Sequence, residues 1–312
     1  MFFLDFSRHT MPIRIGKAGK ATAFNELGRR RDEEGDQDGA LEAYAQASAI
    51  HPGWSVPWYN TGLIHKYRGE WAASLEANAR AVQCEPGNEG ALWNLGIAAT
   101  ALGDWTTARR AWQQYGIQVP EGEGPIDFFI GLTPIRVHGD EASEVVWSDR
   151  IDPARAILRN VPSAACGHRF GDLVLHDGAA NGYRKHGDRE VPVFDALELI
   201  APSDYSTYEV WIDDATEKDI NALIERFELA GAAAENWTTS IQVLCKACSE
   251  GRPDGEHNHA PGEPPEAFGP WHVGIAAREE AHARRILDEW HRLTPKAALR
   301  DFGCILRATP RS

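Results

Sequence analysis

The chain has 312 residues, which is long for one compact domain and sufficient for two or three. Its content of 43% hydrophobic and 25% charged residues is typical of a globular protein and excludes wholesale disorder. With 32 basic and 46 acidic residues, its net charge of -14 argues against nucleic acid and anionic membranes as partners.

The N-terminal segment, residues 1–20, does not have the pattern of an export signal. Asp5, Arg8 and Arg14 interrupt its apolar residues. The chain has five cysteines, and an odd number without such a signal predicts reduced thiols or metal ligands rather than a disulfide framework. We therefore expect a cytoplasmic protein.

Residues 21–122 contain an internal repeat with a period of 34 residues. Each row has a glycine, a second glycine, a small residue and a proline in fixed columns: Gly28, Gly62 and Gly96; Gly35, Gly69 and Gly103; Ala40, Ser74 and Ala108; and Pro52, Pro86 and Pro120. This pattern resembles the tetratricopeptide repeat (TPR) over about a third of the chain.

The columns predict two helices in each row. The first glycine allows the two helices to pack closely, and the second occupies the turn between them, where a left-handed backbone is needed. The proline ends the second helix of the row. Because one row cannot bury its own apolar face, we expect the three rows to stack into a helical array.

The resemblance implies a concave groove that is lined by the first helix of each row and holds a peptide or a partner protein. The partner-binding residues that it implies are Asn25, Arg29, Asn60 and Asn94. One variant of the repeat clamps a C-terminal carboxylate with lysine and asparagine. Asn60 matches that asparagine, but Asn25 and Gly90 stand at lysine positions, so the clamp is largely missing.

The middle segment, residues 123–205, predicts a small β-rich module. Short β-type runs at 128–130, 134–137, 145–147, 156–158 and 172–175 are separated by turn residues, a spacing that suits an antiparallel sheet or a barrel. His168 and His176 fall in this segment. Scattered histidines of this kind are more often surface or turn residues than catalytic groups or metal ligands.

The C-terminal segment, residues 206–312, predicts alternating strands and helices in the order βαββαβ. The strands are expected at 208–213, 237–244, 271–276 and 302–306, with Asp214 and Glu217 forming a capping box for the first helix. This order matches the ferredoxin-like α+β plan. The whole chain is thus expected to be a multidomain protein, a TPR-like helical array followed by a β segment and a ferredoxin-like domain.

An insertion at residues 245–269 carries a candidate metal site. Cys245 and Cys248 are spaced to grip one ion, and His257 and His259 point the same way in extended chain, which suits tetrahedral zinc. Unordered surface residues and a redox dithiol are the alternatives. If one histidine is not a ligand, water could complete the zinc shell and Glu256 could act as a base.

The sequence therefore favours a non-enzymatic adaptor that binds a protein or peptide through its array and is stabilised by zinc in its C-terminal module. The alternative is a zinc-dependent, hydrolase-like enzyme whose repeats recruit its substrate. A third hypothesis, a nucleic-acid module built on the C-terminal sheet, is opposed by the acidic charge.

Overall fold

The computed structural model describes residues 16–139, 142–187, 189–240 and 270–308. Within these residues the chain divides into two compact units. The first comprises residues up to 102 together with 110–117, and the second comprises 103–109 together with the residues from 118 onward. No helix in these ranges combines the length and apolar character that are needed to cross a membrane.

Residues 17–115 form six helices, which make three antiparallel pairs, one for each row of the repeat, as predicted. They are α1 (Lys17–Glu33), α2 (Gln37–Ile50), α3 (Ser55–Tyr67), α4 (Trp71–Cys84), α5 (Glu89–Ala101) and α6 (Trp105–Tyr115). The second glycine of each row has a positive φ, between 68° and 84°, in the turn between paired helices. The helices α2 and α4 end two residues before their row's proline.

The first glycine column lies where paired helices approach most closely. A Cβ atom at Gly28 would lie 2.5 Å from the ring of Tyr44, and one at Gly96 would lie 2.5 Å from the ring of Trp112. A Cβ atom at Gly62 would clash with the amide of Asn78. The glycines are therefore required by packing.

Residues 131–201 form a closed five-stranded barrel in the order β1-β2-β3-β4-β5. Its strands are β1 (Gly131–His138), β2 (Ser143–Arg150), β3 (Arg155–Leu158), β4 (Leu173–His186) and β5 (Arg189–Ala201). Neighbouring strands are antiparallel except β1 and β5, which close the barrel with a short parallel ladder. Ile135, Val146 and Val174 belong to its apolar core.

The barrel differs from the predicted β segment in two places. Residues 128–130 are not a strand, and Phe129 is 66% exposed. The strand β5 was not predicted, because its buried positions, Val193 and Phe194, are followed by half-buried and exposed ones without a regular alternation.

Residues 206–306 form a four-stranded antiparallel sheet in the order β7-β8-β6-β9. Its strands are β6 (Ser206–Asp213), β7 (Ala233–Asn236), β8 (Trp271–Ala277) and β9 (Ala298–Leu306). The helices α7 (Glu217–Leu229) and α9 (Glu280–Leu293) pack their apolar faces on β6 and β8, and a short helix, α8 (Trp237–Ser240), follows β7.

Two details of the predicted C-terminal segment are wrong. The strand expected at 237–244 lies earlier, at β7, because the Asn236 side chain accepts a 3.2 Å hydrogen bond from the Thr238 amide and starts a helical turn at Trp237. Residues 241–244 fall outside the described ranges. The capping box of α7 uses Thr216 and Asp219 instead of Asp214 and Glu217.

Candidate partner-binding surface

The first helices of successive pairs, α1 and α3, lie side by side and are joined by a side-chain contact. Asn60 Nδ2 donates a 3.2 Å hydrogen bond to Asn25 Oδ1. Asn25 is buried, whereas Asn60 is half-buried. The structure thus brings two of the predicted partner-binding residues together as a contact between rows, and their part in binding stays a prediction.

Arg29 lies one turn after Asn25 on the same side of α1, and its side chain is 54% exposed. It forms ion pairs with Glu26, at 3.2 Å, and with Glu33. These two carboxylates raise the pKa of Arg29, the hydrogen bond from Glu26 being the main cause. The group as a whole carries more negative than positive charge, so it does not favour a carboxylate ligand.

Asn94 occupies the same repeat column as Asn60 but is buried, at 4% exposure. The helix α5 that carries it is apolar on all sides, and Leu92, Ile97 and Thr100 are buried as well. The accessible surface of the first helices is therefore provided by α1 and α3.

An exposed aromatic ring, that of Tyr67, lies on the same surface and was not among the predicted partner-binding residues. Tyr67 is two turns after Asn60 on α3 and is 57% exposed, with the Lys66 ammonium 4.3 Å from its ring centroid. Asn25, Tyr59 and Trp93 share one column of the 34-residue repeat. Tyr67 itself belongs to another column, with Glu33 and Ala101, so the repeat does not mark it.

We refer to Asn25, Arg29, Asn60 and Tyr67 as the inner strip. They are placed on one side of two adjacent helices by their helical spacing and by the Asn25–Asn60 hydrogen bond. The strip offers an amide pair, a cation held by carboxylates and an exposed aromatic ring. Such a combination can form hydrogen bonds and stacking contacts with another polypeptide.

The barrel contains a network of buried polar groups. Arg136 is 4% exposed and donates a 2.7 Å hydrogen bond to Asp195, which also accepts a 2.7 Å hydrogen bond from Asn181. Burial alone would raise the pKa of Asp195, but hydrogen bonds from His138, Asn181 and Arg136 outweigh it and lower that pKa to about 2. Asp195 therefore stays ionised in the folded protein at neutral pH.

Two other groups of the barrel are poorly suited to acid–base or nucleophilic chemistry. Burial, followed by the charge of Arg150, lowers the pKa of His176 to about 3, so this buried imidazole is neutral. Burial raises the pKa of the Cys166 thiol to about 12. The thiol is therefore protonated and unreactive at neutral pH. His168 Nδ1 lies 3.6 Å from Asp172 and lacks a hydrogen-bond partner in the described ranges.

The predicted zinc ligands Cys245, Cys248, His257 and His259 lie outside the described residues. Glu256, the possible base, lies outside them too. Among the described residues, no group of three or more His, Cys, Asp or Glu side chains is placed to hold a metal ion. The zinc site thus stays a prediction.

Comparisons with known proteins concern the fold. Neither the family models nor the curated proteins that were compared with the chain match it. Among solved structures, the second TPR of Spaghetti (RPAP3), bound to the HSP90 peptide SRMEEVD, is similar with 17% identity and a TM-score of 0.30. The similarity covers 31% of this chain and 91% of that one.

Two further structures are similar to a comparable share of the chain. The Arabidopsis OM64 TPR domain has 14% identity and a TM-score of 0.30, with 32% of this chain and 83% of that one covered. MamA has 22% identity and a TM-score of 0.30, with 31% of this chain and 57% of that one covered. The three helix pairs and their glycine columns make the N-terminal part of the chain a TPR-like helical array.

Proposed function

We propose that the protein is an adaptor that binds a partner polypeptide through its helical array. The observation that carries the proposal is the inner strip, in which α1 and α3 lie side by side and expose Arg29 and Tyr67. Exposed aromatic and arginine side chains are enriched where proteins bind other proteins. These two exposed side chains lie on adjacent helices, where a single partner segment can contact both.

We also infer that residues 206–308 follow the ferredoxin-like plan. Three observations support this inference: the strand order β7-β8-β6-β9, the antiparallel pairing of neighbouring strands, and the packing of both helices in one apolar core with β6 and β8. A fold of this kind does not specify a chemistry. Its proposed role is that of a second module attached to the array.

The adaptor proposal is tested by quantitative affinity purification with the full chain as bait. Wild type is compared with the double variant Arg29→Ala, Tyr67→Ala, which removes the two exposed groups of the inner strip. The matched control is Arg80→Ala, an exposed arginine of α4. We expect a specific partner to be recovered by wild type and the control, and to be reduced about tenfold or more by the double variant.

Recovery of nothing above the bead background with wild type would refute the adaptor proposal. Equal recovery by wild type and the double variant would place the partner elsewhere on the chain. A partner that is recovered selectively is then titrated against the purified variants to give dissociation constants.

We further propose that Cys245, Cys248, His257 and His259 bind one zinc ion, as their types and spacing predict. Zinc is measured by elemental analysis of the purified full chain and of the variant Cys245→Ser, Cys248→Ser. We expect about one zinc per wild-type chain and almost none in the variant. The control is Cys84→Ser, a cysteine of α4. Full zinc content in the double variant would rule out this site.

A further inference from the structure

A groove lies between α2 and α3, outside the inner strip. Its volume is about 540 Å³, which is within the range of small-ligand and side-chain pockets. The lining residues are mostly apolar or small: Leu41, Ala45, Ser48, Ala49, Pro52, Trp58, Thr61 and His65. Large apolar walls are provided by Leu41 on one helix and Trp58 on the other.

The groove exists because one helix presents small side chains there. Ala45 and Ala49, one turn apart on α2, are exposed and leave room above the helix. Ser48 lies between them and is 4% exposed. Its hydroxyl has no hydrogen-bond partner among the described residues, although it is buried. The hydroxyl is therefore covered by the small side chains around it and does not narrow the groove.

Acidic side chains border the end of the groove near the turns between paired helices. Asp38 lies one turn before Leu41 on α2, and Glu42 follows Leu41 directly; their side chains are 86% and 82% exposed. Glu70 is close to the lining residue His65, whose Nδ1 is hydrogen-bonded to the Glu70 carboxylate. These carboxylates outnumber the two arginine side chains near them, Arg31 and Arg68.

Two arginines contact this border without neutralising it. Arg68 lies 2.9 Å from Asp38, and Arg31 lies 3.9 Å from Glu42 and 3.8 Å from Asp36. Counting Asp36 and Glu70 as well, four carboxylates face two arginines. The border therefore has a negative potential, and it belongs to a chain whose net charge is -14.

We propose that the groove binds an apolar side chain of a basic segment in the partner protein. The apolar walls fit a leucine-like or phenylalanine-like side chain. A lysine or arginine beside the apolar residue would reach Asp38 and Glu42. This inference rests on the proposed adaptor function and specifies the chemistry of its partner.

The test uses the full chain and short fluorescent peptides of defined composition. One peptide carries a leucine flanked by lysines; matched peptides replace the leucine by serine or the lysines by glutamates. Binding is measured by fluorescence anisotropy at low and at high salt. We expect the lysine–leucine peptide to bind at least about tenfold more tightly than either matched peptide, with the advantage of lysine over glutamate shrinking at high salt.

Two variants locate the binding on the protein. Ala45→Trp fills the groove, and we expect it to weaken binding of the lysine–leucine peptide about tenfold. The double variant Asp38→Asn, Glu42→Gln keeps the groove open, and we expect it to reduce the preference for lysine over glutamate several-fold. The matched control is Ala72→Trp, which adds the same side chain at an exposed alanine of α4.

The folding of each variant is checked by its midpoint of urea denaturation. The double variant Asp38→Asn, Glu42→Gln tests the preference for lysine over glutamate separately from the effect of Ala45→Trp on affinity. The proposal is overturned if the lysine–leucine peptide does not bind, or binds no better than its matched peptides. It is also overturned if Ala45→Trp and Ala72→Trp bind equally. A partner that is captured through Arg29 and Tyr67 despite Ala45→Trp would leave the adaptor function standing without this groove.

Discussion

Three glycines of the array have the same structural role, and each meets a residue 16 positions later. Gly28 faces Tyr44, Gly62 faces Asn78 and Gly96 faces Trp112. The facing residue is therefore aromatic in the first and third rows and an amide in the second, whereas the glycine is the same in all three. This is consistent with a close approach of the two backbones that leaves no room for a Cβ atom, whatever the partner.

We predict that Gly96→Ala destabilises the array by about 1–3 kcal/mol, because the added methyl group would lie 2.5 Å from the buried Trp112 ring. Since Trp112 is fully buried, its ring cannot move into solvent to relieve the clash. The free energy of unfolding is measured by urea denaturation. Gly87→Ala is the control, because a Cβ atom there meets no atom within 4 Å. Equal midpoints for the two variants would contradict the packing role.

His176 is a buried neutral imidazole in the barrel. Its Nδ1 donates a 2.7 Å hydrogen bond to the carbonyl of Asp177, its ring lies 5.5 Å from that of Phe194, and Nε2 has no partner within the described ranges. Burial and then the charge of Arg150 lower the pKa from 6.5 to about 3. The unfolded chain therefore binds a proton at a higher pH than the folded chain does.

It follows that acid destabilises the barrel through this residue. Between pH 6.5 and about 3, the contribution of His176 to stability falls as pH falls, by on the order of 1 kcal/mol per pH unit. We predict that His176→Phe flattens the pH dependence of the unfolding free energy in this window. Parallel curves for wild type and His176→Phe would disprove the assignment.

At the scale of elements, the barrel is closed by a short parallel ladder between β1 and β5. Ile135 is paired with Phe194 and Arg136 with Asp195 in this ladder. The ion pair of Arg136 and Asp195 lies directly across it, at 2.7 Å. Because only a short ladder joins the two strands, the ion pair and the Asn181 hydrogen bond are important to the closure.

We predict that Asp195→Asn lowers the free energy of unfolding by about 2–3 kcal/mol, because it leaves the buried Arg136 charge without its carboxylate. The control is Asp149→Asn, which breaks an ion pair with the more exposed Arg159 and should cost less than about 1 kcal/mol. Circular dichroism during urea denaturation measures both. If Asp195→Asn is no less stable than the control, the closure does not depend on the ion pair.

Elements with strong local signals were predicted well. The six array helices follow from the repeat, and α7 and α9 follow from Leu223 and Leu287 and their apolar neighbours at helical spacing, which are buried as expected. The short strand β7 was misplaced, because the Asn236 cap and the packing of Trp237 on Gly274 override the apolar run after it. Tertiary contacts decided this boundary.

In the second compact unit, the barrel and the four-stranded sheet are joined by hydrogen bonds at several points. Trp237 Nε1 donates a 2.8 Å hydrogen bond to the Val161 carbonyl, and the Val161 amide donates one of 2.9 Å to Glu235. Arg169 donates to the Arg307 carbonyl at 2.9 Å. These contacts, with the packing of Trp237 beside Val161, indicate that barrel and sheet unfold together.

We predict that Trp237→Phe destabilises the barrel and the sheet together, by about 1–3 kcal/mol, because it leaves the buried Val161 carbonyl without its donor. Hydrogen exchange is measured by mass spectrometry on peptides from β3 and from β8. Faster exchange in both regions is expected, whereas the control Trp54→Phe, in the array, should affect neither. An effect confined to β8 would show that the two parts unfold separately.

The candidate site was predictable in part. The repeat placed Asn25, Arg29, Asn60 and Asn94 on the first helices of the rows, where they are found. It could not show that Asn94 is buried, since burial depends on neighbours in space. The pairing of Arg29 with Glu26 and Glu33 is different, because it is local to α1 and follows from their spacing along the helix. The groove beside Ala45 could not be predicted either, because an exposed alanine has no distinctive sequence signal.

The sequence by itself determined the 34-residue repeat, its helix pairs and the apolar faces of α7 and α9, because helix periodicity, glycine turns and proline ends are local properties. Tertiary structure alone decided the closed barrel, in which Arg136 meets Asp195 across 59 residues, and the contact of Asn25 with Asn60. Such contacts depend on how distant segments pack, and the free energy that selects them is a property of the whole fold rather than of any local pattern.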